Sequence, residues 1–166
     1  MRSIIITILL FSSFIASSQD YKNAARLSVG DYWGVQYKRM FTQERGMTAA
    51  FQVNSKGAQL TGLRVFHTPA FPAKSSQWFF GYGYGAHFAY RTKVESRNVF
   101  RPFAPPIVNK GNFFSPGLDG YVTLEHRFLK YPFTLSADFI PGFEFFGPNF
   151  FRLNMDNFSF SAAFIF

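Results

Sequence analysis

The sequence predicts an all-β protein, an antiparallel up-and-down β-barrel whose apolar side chains face outward. Three observations carry this expectation. Apolar residues recur with a period of two, not 3.6. Aromatic residues make up 21% of the 166 residues, 25 of them Phe, yet mean hydropathy is near zero because Gly, Ser, Asn and Arg interrupt the aromatics. Beyond the first segment, no uninterrupted apolar run reaches the roughly 20 residues of a membrane helix. Strands with one face toward lipid and the other toward a polar interior have this composition. Only helices and closed barrels satisfy their backbone in lipid, so a mature chain without a membrane helix is expected to span a membrane as a closed barrel.

The elements follow in chain order. Residues 1–18 read as a cleavable signal peptide and residues 19–166 as the barrel domain. Arg2 gives the basic start, Ile4 to Phe11 the apolar stretch, and Ala16 and Ser18 the small residues before cleavage at Gln19. Ala24 to Gly30 and Gly34 to Phe41 each alternate. Read as one strand, residues 26–41 bring the total to seven; a turn at Asp31-Tyr32-Trp33 brings it to eight. A chain that enters and leaves from the periplasmic side needs an even number, which selects eight. Met47 to Asn54 and Gln59 to His67 form a hairpin around Lys56-Gly57.

Gln77 to Arg91 alternates most clearly. Trp78, Phe80, Tyr82, Tyr84, Phe88 and Tyr90 share the outward face, and Gly81, Gly83, Gly85, His87 and Arg91 the inward one. Leu118, Val122, Leu124 and Phe128 point outward against Asp119, Tyr121, Thr123, Glu125 and Arg127. Phe133 to Phe139 sets Phe and Leu against Thr134, Ser136 and Asp138. The last strand sets Phe158, Phe160, Ala162, Phe164 and Phe166 against Ser159, Ser161, Ala163 and Ile165. Leu153 and Met155 lie in the opposite phase, so a bulge is expected near Asp156-Asn157. Counting back from Phe166 sends the long Thr92–Ser115 connection, with Pro102, Pro105 and Pro106, to the extracellular side. Phe41 to Gly46, Pro69 to Ser76 and Leu129 to Pro132 become short periplasmic turns.

The chain resembles small outer-membrane β-barrel proteins of the Bacteroidota type, similar to OmpX-like and OmpA-like eight-stranded barrels. The segments that carry the resemblance are Leu27–Gly30, Gly34–Arg39, Leu60–Leu63, Trp78–His87, Gly117–Gly120, Leu124–Phe128, Tyr131–Asp138 and the terminal Phe. It implies residence in the bacterial outer membrane and insertion by the β-barrel assembly machinery. That machinery reads a C-terminal aromatic strand, here Phe160, Phe164 and Phe166. The glycine and polar residue often found earlier in that signal are replaced by Ser159, Ser161 and Ala162. The resemblance implies no activity.

The inward residues His87, Arg91, Asp119, Glu125, Arg127 and Asp138 are expected to form a polar network in the lumen. Arg64, Glu144, Arg152 and Asp156 are assigned the same inward phase. A lone buried charge is very costly, so these charges should pair. Eight strands leave an interior barely wide enough for side chains, which argues for a closed lumen rather than a diffusion pore. His67, before a Thr-Pro turn, reads as interfacial.

No catalytic, cofactor or metal site is expected. The chain has no Cys, and its three His have no metal spacing. Gly81 to Gly85 lacks the Lys-Ser/Thr of a phosphate loop. The formal charge is +8, but the basic residues are scattered, with no run beyond Lys38-Arg39, so no nucleic-acid partner is expected. The expected role is a non-enzymatic structural, interaction or accessory component of the envelope. Its partners would be the outer-membrane bilayer and an extracellular or envelope protein bound through loop 92–115. One alternative is a lipid-modifying enzyme, lipid A deacylase-like, using the outward His126; no Ser or Thr partner stands beside it on its strand. Another is a soluble lipocalin-like carrier, which would turn its apolar face inward.

Overall fold

The structure, a computed structural model, describes residues 21–71, 75–96, 107–146 and 151–166. The expected signal peptide, residues 1–18, lies outside the described residues. Ten strands form one antiparallel sheet: β1 (Asn23–Gly30), β2 (Trp33–Met40), β3 (Arg45–Asn54), β4 (Gly57–Phe71), β5 (Ser75–Ser96), β6 (Ile107–Arg127), β7 (Phe133–Phe139), β8 (Gly142–Phe145), β9 (Phe151–Asn154) and β10 (Phe158–Ile165). Eight of them, β1 to β7 and β10, close into a ring. The seam joins β1 to β10 from Ala24↔Ile165 to Gly30↔Ser159, and Asn23 and Phe166 exchange two amide bonds of 2.9 Å.

β8 continues β7 and extends the pairing of β6 at Gly117–Asp119. The break falls at Ile140-Pro141, where proline has no amide for the ladder. The Pro141 carbonyl still accepts from the Gly120 amide at 2.8 Å. β9 leads into β10 through Met155–Asn157. The outward phase shifts there, from Leu153 and Met155 to Phe158 and Phe160, as the expected bulge requires.

Residues 26–41 are a hairpin, not one strand. Its turn at Asp31-Tyr32 is held to β10: the Asp31 amide donates to the Phe158 carbonyl at 3.0 Å, and the Phe158 amide donates to the Asp31 carboxylate at 3.2 Å. Two turns, 41–44 and 128–132, share one end of the barrel with Asn23, Phe166 and the Phe71↔Ser75 pair, called here the near end. The turns 31–32 and 55–56 lie at the opposite, far end.

The expected loop at 92–115 is corrected. Both flanks are strand, and pairing of β5 with β6 runs on to Ser96↔Ile107, with a register shift between Arg91 and Lys93. Only 97–106 separates the strands, and it lies outside the described residues. Gly111, Pro116 and the lysines hide this ladder from sequence patterning. Pro116 lies just outside the β6–β8 pairing, where β6 has a strand edge, and edges tolerate proline.

The faces are inverted relative to a water-soluble globule. Leu27, Val35, Phe51, Leu60, Tyr84, Leu118 and Leu135 are exposed, while Arg26, Lys38, Gln52, Gln59, Glu125 and Asp138 are buried. Three inward or interfacial assignments are overturned. Arg64 is exposed and lies over the Phe66 ring, 5.7 Å from its centroid. On β4 the inner row is Thr61, Leu63, Val65 and His67, because Leu63 and Val65 pack against Tyr121 and Ile140. That phase places His67 in the interior, 1% exposed, not at an interface. Asp156 is exposed because it sits in the break before β10, where the ladder no longer dictates its direction.

Candidate functional site

Alternation along all eight strands of the ring delivers polar side chains to one narrow interior. Along the inner row of β6, Arg127 and Glu125 lie toward the near end and Asp119 toward the far end, with Tyr121 between them. Two charged clusters result.

Glu125 is the centre of the near cluster. It accepts from Lys38 Nζ at 2.8 Å, Arg26 NH2 at 2.9 Å, Arg127 Nε at 2.8 Å and the Tyr21 hydroxyl at 3.0 Å. Arg26 also donates to Asp138 at 3.1 Å. Asp138 accepts further from Tyr121 at 2.9 Å, Ser136 at 3.1 Å and Ser161 at 2.5 Å. Three cations thus face two carboxylates. His67 stands between two of those cations, with Lys38 Nζ 3.2 Å from Nε2 and Arg127 NH2 3.3 Å from Nδ1. A neutral imidazole has one acceptor nitrogen, so it can receive only one of these donors. Nearer the end, Tyr21, Ala24, Met40, Ala163 and Ile165 pack as an apolar layer.

The far cluster is looser. His87 Nδ1 lies 2.7 Å from Asp119, and Gly117 leaves room for the imidazole, since a Cβ there would overlap it. Glu144 binds Arg91 at 2.8 Å and also pairs with Arg152, which is partly exposed. Arg91 donates to Gln59 at 2.7 Å. Yet Arg91 Nε and NH1, His87 Nε2 and Asp119 Oδ2 are buried with no hydrogen-bond partner among the described residues.

All six expected lumen residues are therefore buried, but they do not form one network. Glu125, Arg127 and Asp138 belong to the near cluster, and His87, Arg91 and Asp119 to the far one. Sequence reasoning missed Arg26, Lys38, Tyr21 and His67. For Arg26 and Lys38 the signal was present: each falls in phase opposite Leu27 and Val29, or Val35 and Tyr37.

His126 points outward, as expected. Its ring lies 4.7 Å from the Trp78 ring and 4.9 Å from the Phe128 ring, centroid to centroid. Phe160 and Phe166 are exposed on the seam's outer row, and Phe164 contacts Phe133 edge-on at 5.5 Å. Among the described residues no group of three or more His, Asp or Glu has the arrangement of a metal site, and no helix is long and apolar enough to cross a membrane.

Comparison with protein-family models, with curated protein sequences and with solved structures gives no match.

Proposed function

We propose that this chain is an outer-membrane β-barrel that acts without catalysis, as a structural and interaction component of a bacterial envelope. The observation that carries this reading is the inversion of the two faces in a closed ring of eight strands. One row of cross-strand neighbours, Phe51, Val35, Leu27, Ala162 and Leu135, crosses five strands without a charge. Water-soluble monomers rarely expose apolar patches beyond a few hundred Å². In lipid the same surface is the buried one. Aromatic pairs toward both ends, Phe133–Phe164 at the near end and Phe143–Phe151 at the far end, suit the two interfacial girdles of such barrels. The basic side chains Lys22, Arg39, Arg45 and Lys130 lie at the near end, where charges can meet water and headgroups.

The contact surface is the β5–β6 hairpin. Its pairs from Lys93↔Lys110 to Ser96↔Ile107 lie beyond Gly57↔Arg91, the last pair of β4 with β5, so the hairpin extends past the end of β4. A partner held there is lost when 97–106 is deleted, while the barrel still assembles.

Fractionation tests the reading. The chain expressed in a Gram-negative host should remain with the outer membrane through an alkaline carbonate wash. Release into the soluble fraction would sink it and favour the carrier alternative. His126 is placed here as an interfacial aromatic anchor, and the lipid A mass profile should not change with the gene present or absent. A lost acyl chain would restore the enzyme reading.

A further inference from the structure

At the far mouth of the barrel a cleft of about 220 Å³ opens above the Glu144 cluster. Four cationic side chains line it from three elements: Lys56 on the β3–β4 turn, Arg91 and Lys93 on β5, and Arg152 on β9. The acceptors in its wall are largely engaged by backbone. Asp31 accepts from the Phe158 amide at 3.2 Å, Asn54 from the Lys56 amide at 2.9 Å and Asn154 from the Asp156 amide at 3.2 Å. The Asp156 carboxylate also lines the cleft. Glu144 lies beneath, paired with both Arg91 and Arg152.

Arg91 decides the chemistry. It is 1% exposed and lies under the Tyr32 ring, 5.4 Å from its centroid. Its NH2 satisfies Glu144 and Gln59, while Nε and NH1 have no partner among the described residues. A buried guanidinium with unmet donors carries a desolvation cost that an oxyanion would remove. Cations converging from several directions suit a tetrahedral dianion better than a planar carboxylate. The cleft also exceeds one phosphate group, and Tyr32 and Leu153 supply wall for a small organic body.

We infer that the far mouth binds a small soluble phosphate monoester, with Arg91 at its base and Lys56, Lys93 and Arg152 around it. The site belongs to the lumen mouth, not the outer face, so it stands on the barrel geometry whether or not the membrane reading holds.

The test uses the refolded full barrel in maltoside micelles, which carry no phosphate. Arginine Nε–H resonances are followed by NMR while glucose 1-phosphate, inorganic phosphate, glucose or dihexanoyl phosphatidic acid is added. Glucose 1-phosphate should move the Arg91 signal saturably, inorganic phosphate less strongly, and glucose not at all. Arg91→Lys keeps a cation for Glu144 but removes the two unmet donors; it should bind glucose 1-phosphate at least about tenfold more weakly. Lys56→Gln, on a turn, covers the case in which Arg91→Lys does not fold, and should weaken binding roughly threefold. No saturable shift, unchanged affinity in the variant that folds, or a response confined to the phosphatidic acid would overturn the proposal.

Discussion

Around Glu125, three cations and a tyrosine enclose one carboxylate, and the side chains of Arg26, Lys38 and Glu125 are at most 1% exposed. Around Glu144, two cations share a carboxylate, and one of them, Arg152, reaches the surface with its side chain 17% exposed. Both clusters solve one problem, the charge that alternation forces into a narrow interior. The near cluster solves it with strands from all round the barrel and leaves one guanidinium nitrogen, Arg26 Nε, without a hydrogen-bond partner among the described residues. The far cluster leaves two on Arg91, with His87 Nε2 and Asp119 Oδ2 beside them, and opens on a cleft. A closed network of this kind resists any change of partner, whereas an under-filled one can accept a ligand. On the proposed reading the near cluster blocks the lumen, and the far cluster meets what enters the mouth.

Removing each centre tests that division. Glu125→Ala leaves Arg26, Lys38 and Arg127 facing one another in a confined space. A buried cation stripped of its partner costs about 3–5 kcal/mol, so this variant should lose at least that much stability in urea unfolding from lipid vesicles. Glu144→Ala is milder, because Arg91 keeps Gln59 at 2.7 Å and Arg152 can turn to water. A loss of about 1–3 kcal/mol is expected by the same measurement. Equal losses at the two sites would break the comparison. Arg152→Ala should change stability by about 1 kcal/mol or less, as for other partly exposed pairs. A larger loss would move Arg152 from the mouth into the barrel's structural core.

How far the sequence carried the fold depended on how clean each alternation was. The inner and outer rows of β5, β6, β7 and β10 could be read because Phe, Tyr and Leu alternate with Gly, Ser, Thr or charge. β4 could not, because both its rows mix polar and apolar residues: Leu60, Gly62, Arg64 and Phe66 against Thr61, Leu63, Val65 and His67. Packing of Leu63 and Val65 on Tyr121 and Ile140 decides its phase, and that contact joins three separate stretches of chain. The same limit applies to the lumen. Burial of His87, Arg91, Asp119, Glu125, Arg127 and Asp138 followed from their strands, but the division into two clusters depends on which strands meet across the barrel. Arg26 reaches Glu125 across 99 residues of sequence and Asp138 across 112. The β5–β6 extension was hidden for a local reason: its glycine, proline and lysines resemble a loop while the ladder continues.

The central claim is that the outer face meets lipid and the inner face does not. Because the chain has no cysteine, single cysteines can be placed one at a time from position 133 to 139 and spin-labelled in a barrel refolded into liposomes. Collision with oxygen, which partitions into lipid, should peak at 133, 135, 137 and 139 and fall at 134, 136 and 138, with a water-soluble nickel chelate excluded from the outward positions. Strong nickel access at 135, which lies on the uncharged row, would contradict the account.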